Sequence, residues 1–183
     1  LIDRPVRWTA ERSESLMSDT HARDNIVTAE LALDSNGKFL AFRVNTLANL
    51  GAYLGSNTPH SPTNNLGGLA GVYTTPAIYT AVRAVFSNTG WTAPYRGAGR
   101  PEASLAIEKA IDAAARELGI DRVDIRRRNL IPADAMPFKT GLIFKYDSGE
   151  FETVLDKALK LADYDGFEAR RAEAAGRGKL RGM

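Results

Sequence analysis

The sequence contains no cysteine and only two histidines, His21 and His60. Without cysteine the chain cannot form disulfide bonds, thiolate metal sites, cysteine-ligated iron–sulfur clusters or cysteine nucleophiles. No His-x-x-x-His spacing occurs, and a lone histidine in a polar loop, such as His60, is more often a hydrogen-bonded surface residue than a metal ligand. A Gly-x-Ser-x-Gly nucleophile motif is also missing. The residues therefore give no sign of independent catalytic chemistry.

The sequence also lacks a large excess of charge of one sign and long apolar runs. The 183-residue chain has a formal net charge of +2, which gives no bulk attraction for nucleic acid or membranes. No apolar run approaches the roughly 18 residues of a membrane span. The adjacent arginines 126–128 point in three directions on a helix and have no aromatic platform beside them, so we predict that they form salt bridges or are solvated. We therefore expect neither a nucleic-acid partner nor a membrane span.

Alternating residues predict strands in the first half. Ile26 to Leu33 alternates in polarity, Asn36-Gly37 favours a hairpin turn, and Lys38 to Leu50 returns as the partner strand. A short strand is predicted at Val6 to Ala10, and the apolar run Ala81 to Phe86 predicts a further strand. Residues 55–76 have no usable periodicity and predict a long irregular connection.

Helical spacing dominates the second half. Pro101 to Leu118 has an apolar stripe and an i,i+4 pair from Asp112 to Arg116, and Gly119 supplies the stop. Asp121 is expected to cap a second helix through Asn129, and Glu150 to Ala162 predicts a third. We predict an α+β fold, an N-terminal antiparallel sheet built on a long hairpin, with helices packed on one side.

The predicted domain comprises residues 1–163, with its strands in residues 1–90 and its helical part in residues 101–163. Residues 164–183 are polar and alanine-rich, with few apolar anchors. They predict a C-terminal tail or a frayed helix.

The segment Thr92 to Glu102 is the candidate binding site. It connects a predicted strand to a helix, and Gly97 and Gly99 allow a ligand to approach the main chain closely. Free amides, two flanking arginines and a helix N-terminus suit an anionic or polar cofactor. The dinucleotide fingerprint fails because Glu102 stands where a third glycine or alanine is needed, and the P-loop sequence is absent.

The string Tyr95-Arg-Gly-Ala-Gly-Arg-Pro-Glu102 and the downstream Asp124 to Leu130 resemble the molybdenum hydroxylases, the family of xanthine dehydrogenase, aldehyde oxidase and aerobic carbon monoxide dehydrogenase. The similarity is to the large, molybdopterin-binding subunit, and it extends to Arg4-Pro-Val-Arg7 and to Val72 to Ile78. Large subunits of this family are several times longer, so we expect this chain to be a fragment of one.

The resemblance implies site residues. The cofactor-binding residues would be Tyr95, Arg96, Gly97, Ala98 and Gly99, with the backbone amide of Arg96 beside the metal. The family's catalytic glutamate lies near the far end of the subunit, so this chain would contain no catalytic residue. We therefore expect the isolated fragment to retain no cofactor and to be inactive.

The resemblance also narrows the substrate. Asn64 stands where the purine-oxidising members have a substrate-holding arginine, and Ala98 stands where an aromatic residue packs on the substrate ring. Gly97 replaces the copper-binding cysteine of carbon monoxide dehydrogenases, so a molybdenum–copper centre is not expected. The remaining expectation is a small-molecule substrate hydroxylated at an aldehyde or N-heterocyclic carbon, with water as the oxygen source.

In the parent subunit the resemblance implies a molybdenum–molybdopterin cofactor, in the simple or the cytosine dinucleotide form. The implied partners are the remainder of the large subunit and iron–sulfur and FAD subunits or domains, in a cytoplasmic or alternatively a periplasmic enzyme. Two other functions stay open: a non-catalytic interaction module with the same fold, and a small anion- or nucleotide-binding domain that uses Arg96, Gly97 and Arg100.

Overall fold

The computed structural model describes residues 2–64 and 66–182. The helices are α1 (Arg12–Ser18), α2 (His60–Asn64), α3 (Arg100–Leu118), α4 (Arg122–Arg127), α5 (Phe151–Ala162) and α6 (Phe167–Gly176). The strands are β1 (Asn25–Leu33), β2 (Phe39–Asn49), β3 (Ala77–Val85), β4 (Phe138–Lys139) and β5 (Lys145–Tyr146). Short 3-10 helices lie at Leu66–Ala70 and Ala133–Ala135. The fold is α+β, as the sequence predicts.

The hairpin of β1 and β2 is confirmed. The two strands pair antiparallel from Asn25 opposite Ala48 onward. In the turn, Oδ1 of Asp34 accepts hydrogen bonds from the amides of Asn36 and Lys38, at 2.9 and 2.8 Å. Gly37 has φ 77°, a left-handed angle that glycine adopts without steric cost. The turn is therefore encoded by a few neighbouring residues.

The sheet as a whole is mixed, whereas the sequence predicted an antiparallel one. β3 lies on the other side of β2 and pairs with it in parallel, from Ala41 opposite Ala77 to Asn49 opposite Val85. Residues 50–76, which contain α2 and the 3-10 helix Leu66–Ala70, make the long crossover that a parallel connection requires. Strand periodicity does not specify direction, so the sequence pattern could not distinguish the two arrangements.

The helix α3 forms the core with one face of the sheet. Ile107 and Ile111 are 1% and 0% exposed, and they belong to the same cluster as Phe42 and Val44 of β2. Small residues on the same stripe, such as Ala106, permit close packing against the strands. α3 contacts β1, the 3-10 helix Leu66–Ala70 and α4, so this helix packs on the sheet.

Both predicted helix caps in this region are confirmed. Gly119 ends α3 with φ 65°, and its amide donates to the carbonyls of Ala115 and Arg116. Oδ1 of Asp121 accepts from the amides of Val123 and Asp124 at the start of α4. Local residues therefore decide where these helices end and begin.

The predicted salt bridges of the arginine run are confirmed for two members. Arg126 pairs with Glu108 at 2.7 Å and with Asp112 at 2.8 Å, which joins α4 to α3. The expected pair from Asp112 to Arg116 is wrong, because the tertiary fold offers the Asp112 carboxylate a different arginine. Arg127 binds Glu152 and Asp156 of α5 in the same manner.

One predicted strand is wrong. Val6 to Ala10 is not a strand, because no neighbouring strand pairs with it, and Val6 and Trp8 are 73% and 70% exposed. Elsewhere β4 and β5 form a small antiparallel hairpin. Residues 164–182 contain α6, which is anchored by the buried Phe167 and Ala174.

Candidate functional site

The arginine-glycine loop, residues 95–99, lies at the surface immediately before α3. Tyr95 is 60% exposed, Arg96 and Gly97 are exposed, Ala98 is half-buried and Gly99 is buried. The outer part of the loop is therefore accessible to a ligand, while its inner end is packed into the domain.

Three consecutive residues of this loop have left-handed backbone angles: φ is 91° at Gly97, 44° at Ala98 and 97° at Gly99. L-residues with a side chain rarely adopt such angles. A Cβ added to Gly97 would lie 2.6 and 2.7 Å from Cδ and Cγ of Pro101. In this loop conformation both the backbone angle and the proline ring therefore disfavour a side chain at position 97.

Two internal hydrogen bonds hold the loop, and several of its main-chain amides remain without an acceptor. The amide of Ala98 donates to the carbonyl of Tyr95 at 2.7 Å, and the amide of Arg100 donates to the carbonyl of Gly97 at 2.9 Å. Within residues 2–64 and 66–182 no acceptor lies within hydrogen-bonding distance of the amides of Tyr95, Arg96, Gly97 and Gly99. Those of Arg96 and Gly97 are adjacent and belong to exposed residues. A pair of unpartnered main-chain donors next to a helix N-terminus suits an oxygen atom carrying negative charge.

Arg23, which precedes β1, holds this loop from behind. Its Nη2 donates to the carbonyl of Arg96, and its Cζ lies 4.9 Å from the centre of the Tyr95 ring, within cation–π range. Its Nε lies 3.5 Å from Oε1 of Glu102. Sequence reasoning missed Arg23, since no local pattern links it to a loop about seventy positions later.

Glu102 occupies the first turn of α3, where its charge complements the helix dipole. Both carboxylate oxygens are buried, and neither has a hydrogen-bond partner among the described residues. Its side chain is 17% exposed. Arg23 therefore supplies the ion pair for a carboxylate that is mostly removed from water.

Asn64, the predicted substrate-pocket residue, lies at the end of α2. It is exposed, and its Nδ2 lies 2.6 Å from Nδ1 of His60. Ser61 and Pro62 of the same helix line a cavity of about 30 Å³ together with Gly99. The fold thus brings α2 beside the loop, but no hydrogen bond or ion pair within the described part of the chain joins Asn64 to residues 95–99.

Comparison with known proteins decides the family. Residues 1–130 match the family of molybdopterin cofactor-binding domains. The chain belongs to this family. The resemblance based on the arginine-glycine loop is thereby confirmed.

Individual relatives agree. This molybdopterin-binding domain is 34% identical over 180 residues to 6-hydroxypseudooxynicotine dehydrogenase complex subunit gamma of Paenarthrobacter nicotinovorans, covering 94% of the chain and 23% of the relative. It is 35% identical to the carbon monoxide dehydrogenase large chain of Hydrogenophaga pseudoflava, covering 94% and 22%. The chain therefore spans less than a quarter of the length of these relatives.

Solved structures give the same result. The molybdopterin-binding domain superposes on quinoline 2-oxidoreductase from Pseudomonas putida 86 with a TM-score of 0.86 at 34% identity, covering 96% of the chain and 22% of that structure. On reconstituted CO dehydrogenase from Oligotropha carboxidovorans the TM-score is 0.83 at 32% identity, over 94% and 22%. Since the superposition spans almost the whole chain, the fold of the family extends over it.

One strongly perturbed titratable group belongs to the packing of the domain. Burial raises the pKa of the Tyr73 phenol, and the nearby Glu108 carboxylate raises it further. The phenol donates to Oε1 of Glu108 at 2.8 Å, and Arg126 pairs with the same carboxylate. This cluster joins α3 and α4, so we assign it to stability.

Metal ligands supplied by side chains are not apparent in the described parts of the molybdopterin-binding domain. Residues 2–64 and 66–182 contain no group of three histidine, aspartate or glutamate side chains that could hold a metal ion. Across the same residues no helix combines the length and apolarity needed to cross a membrane. The candidate site therefore consists of main-chain donors on a fixed loop.

Proposed function

We propose that this domain forms one wall of the molybdenum cofactor site in the large subunit of an oxidoreductase, with residues 95–99 facing the metal centre. The observation that carries the proposal is the pair of exposed, unpartnered amides at Arg96 and Gly97, in a loop held at left-handed angles. Family membership supplies the class of cofactor.

The donor set fits such a group. When bound, a molybdenum–pterin cofactor, in its simple or cytosine dinucleotide form, supplies the oxygen-transfer and hydride-accepting chemistry. The Arg96 amide would donate a hydrogen bond to an oxygen atom at the metal, a contact that costs no side-chain entropy. Gly97 has no side chain, so the cofactor can approach the main chain, and no sulfur at this position is available to bind copper.

The substrate would lie on the same side of the loop. Ala98 leaves space where a larger residue would contact a substrate ring, and Asn64 carries no charge that could clamp an anionic substrate. We propose hydroxylation of an aldehyde or N-heterocyclic carbon with water as the oxygen source. Relatives named nicotine 6-hydroxylase large subunit and quinoline 2-oxidoreductase favour the heterocycle.

The catalytic glutamate would come from the part of the large subunit outside residues 1–183, and electrons would pass to iron–sulfur and FAD subunits. Relatives named as subunits or large chains support a multi-subunit assembly. We place the enzyme in the cytoplasm. In this scheme residues 95–99 bind and orient, and the domain contributes no proton-transferring group.

Arg96→Pro in the full large subunit tests the main-chain contact, because proline removes the N–H group. Arg96→Ala is the matched control, since it removes the guanidinium group and keeps the amide. We expect Arg96→Pro to weaken cofactor binding at least about tenfold, the effect of losing about 1.4 kcal/mol, and so to lower molybdenum content per subunit, while Arg96→Ala retains most of the metal. Equal molybdenum in the two variants would refute the amide contact.

A second experiment addresses the isolated domain. Metal analysis of the purified 183-residue chain should find far less than one molybdenum per chain, and substrate turnover should be absent. Near-stoichiometric molybdenum would contradict this expectation. Calorimetric titration with nucleotides tests the alternative of a nucleotide-binding domain that uses Arg96 and Arg100. That alternative requires heat of binding, and its absence would exclude it.

A further inference from the structure

We infer that Arg23 is a positioning residue that fixes the arginine-glycine loop and aims the free amide of Gly97 outward. The inference deepens the proposed function and rests on it for the identity of what the amide meets. The inference has three supports. They are the three contacts of the Arg23 side chain, the position of the Arg23 backbone and the geometry of the peptide bond in the loop.

The first support is the convergence of contacts on one guanidinium group. Arg23 donates to the carbonyl of Arg96, lies over the ring of Tyr95 and pairs with Glu102. The planar guanidinium carries five N–H donors in a fixed fork and also stacks on aromatic faces, which a lysine ammonium cannot reproduce at once. One side chain therefore ties the first two loop residues to the first turn of α3.

The second support is the fixed position of the Arg23 backbone. The amide of the preceding His21 donates to the carbonyl of Trp91, and the amide of Ala93 donates back to the carbonyl of His21, both at 2.9 Å. Arg23 itself has φ 60°, an uncommon angle for a residue with a side chain. The segment before β1 is thus paired with the segment that leads into the loop, which fixes the place from which the Arg23 side chain starts.

The third support is the geometry of the peptide bond. In a trans peptide the carbonyl of one residue and the N–H of the next point in opposite directions. The carbonyl of Arg96 points at the Arg23 guanidinium, so the N–H of Gly97 points away from Arg23. Arg23 thereby sets the direction of the Gly97 amide, one of the unpartnered donors of the loop.

Loss of Arg23 would also leave the Glu102 carboxylate without its ion pair. The buried oxygens of Glu102 have no hydrogen bond to fall back on within the described residues. A buried charge without a partner is strongly unfavourable, so the first turn of α3 would rearrange or admit water. Release of the Arg96 carbonyl and loosening of α3 would then act together on the loop.

The test uses the full large subunit, with and without cofactor, and the variants Arg23→Gln and Arg23→Lys. Arg43→Gln is the matched control, because Arg43 forms an exposed ion pair with Glu30 on the sheet, away from the loop. Hydrogen exchange followed by mass spectrometry reports the amides of Ala98 and Arg100, which close the two internal bonds of the loop. Molybdenum content and turnover per bound molybdenum are measured in parallel.

In the cofactor-free subunit we expect Arg23→Gln to speed exchange of these two amides roughly tenfold, the effect of losing one charge-assisted hydrogen bond. Arg23→Lys should have a thermal unfolding midpoint close to that of the wild type, but its two loop amides should regain only part of their protection from exchange. In the loaded subunit turnover per molybdenum should fall with Arg23→Gln, while KM stays near the wild-type value.

Loop exchange in Arg23→Gln that matches Arg43→Gln overturns the inference, whatever the molybdenum content. Complete restoration of loop protection by Arg23→Lys also overturns it, because a point charge would then suffice. Faster loop exchange with wild-type molybdenum content and turnover upholds the anchoring by Arg23 and refutes the proposed role of the loop at the cofactor.

Discussion

Replacement of Asn129 tests whether one buried amide joins the hairpin to α4. Asn129 is 0% exposed. Its Oδ1 accepts from the amide of Phe39, and its Nδ2 donates to the carbonyls of Gly37 and Ile125, all at 2.8 Å. Three main-chain groups from two distant segments therefore depend on a single side chain.

The expected loss for Asn129→Ala follows from these three bonds. Each buried hydrogen bond contributes about 1 kcal/mol net, and each buried group left without a partner costs about 1–3 kcal/mol. We expect the free energy of unfolding to fall by about 3 kcal/mol or more. Asn129→Asp keeps the acceptor for Phe39 but turns an oxygen toward the two carbonyls, so we expect it to be at least as destabilising near pH 7.

The pH dependence of Asn129→Asp sharpens the test. Burial beside two carbonyl oxygens would raise the pKa of the new carboxyl above its unfolded value of about 3.9. The neutral acid can donate one of the two lost hydrogen bonds. The stabilisation from this bond is fully present below about pH 3.9 and is lost as pH rises through the folded pKa. The difference in the free energy of unfolding between Asn129→Asp and Asn129→Ala should therefore become smaller as the pH is lowered.

Equilibrium urea unfolding of the chain, followed by circular dichroism, measures these differences as shifts of the midpoint at constant slope. Asn88→Ala is the control, because Asn88 is exposed and its side chain bonds to no described residue. It should change stability by less than about 0.5 kcal/mol. A loss below about 1 kcal/mol for Asn129→Ala would show that the amide does not join the two segments.

Three further predictions concern the core, a buried phenol and the loop. Ile111→Ala should lower the free energy of unfolding by about 2–5 kcal/mol in urea unfolding, whereas Leu105→Ala, at a 64% exposed position of the same helix, should cost less than about 1 kcal/mol. Because the folded pKa of Tyr73 is raised, its contribution to stability is fully present below about pH 10 and is lost as pH rises further. Between pH 9 and 11 the free energy of unfolding of Tyr73→Phe should therefore fall less than that of the wild type. Equal dependence of the two free energies on pH would contradict this. Gly97→Ala should displace the loop, since the new Cβ overlaps Pro101 at 2.6 Å, and faster tryptic cleavage after residue 96 with an unchanged unfolding midpoint would report it.

Local signals predicted much of the fold because their causes are local. The cap at Asp121 and the stop at Gly119 each depend on residues within four positions. The hairpin turn closes through Asp34 and its near neighbours. Such elements need no knowledge of the rest of the chain.

The direction of β3 and the partner of Asp112 required the tertiary structure. Alternation of side chains is the same in parallel and antiparallel strands, so the pattern of Ala77–Val85 specifies a strand and not its direction. The sequence places Arg116 one helical turn from Asp112, but the packing of α4 on α3 brings Arg126 to the Asp112 carboxylate instead.

By itself the sequence indicated the family, through the run Tyr95 to Glu102, whereas the constraint on a side chain at position 97 follows from its backbone angle and the nearby Pro101 ring. Only the tertiary structure decided that the Arg96 and Gly97 amides are exposed and unpartnered and that Arg23 braces them. The physical reason is that the direction of an N–H group is set by whatever holds the neighbouring carbonyl. Here that group comes from a distant segment, which chain folding brings within hydrogen-bonding distance.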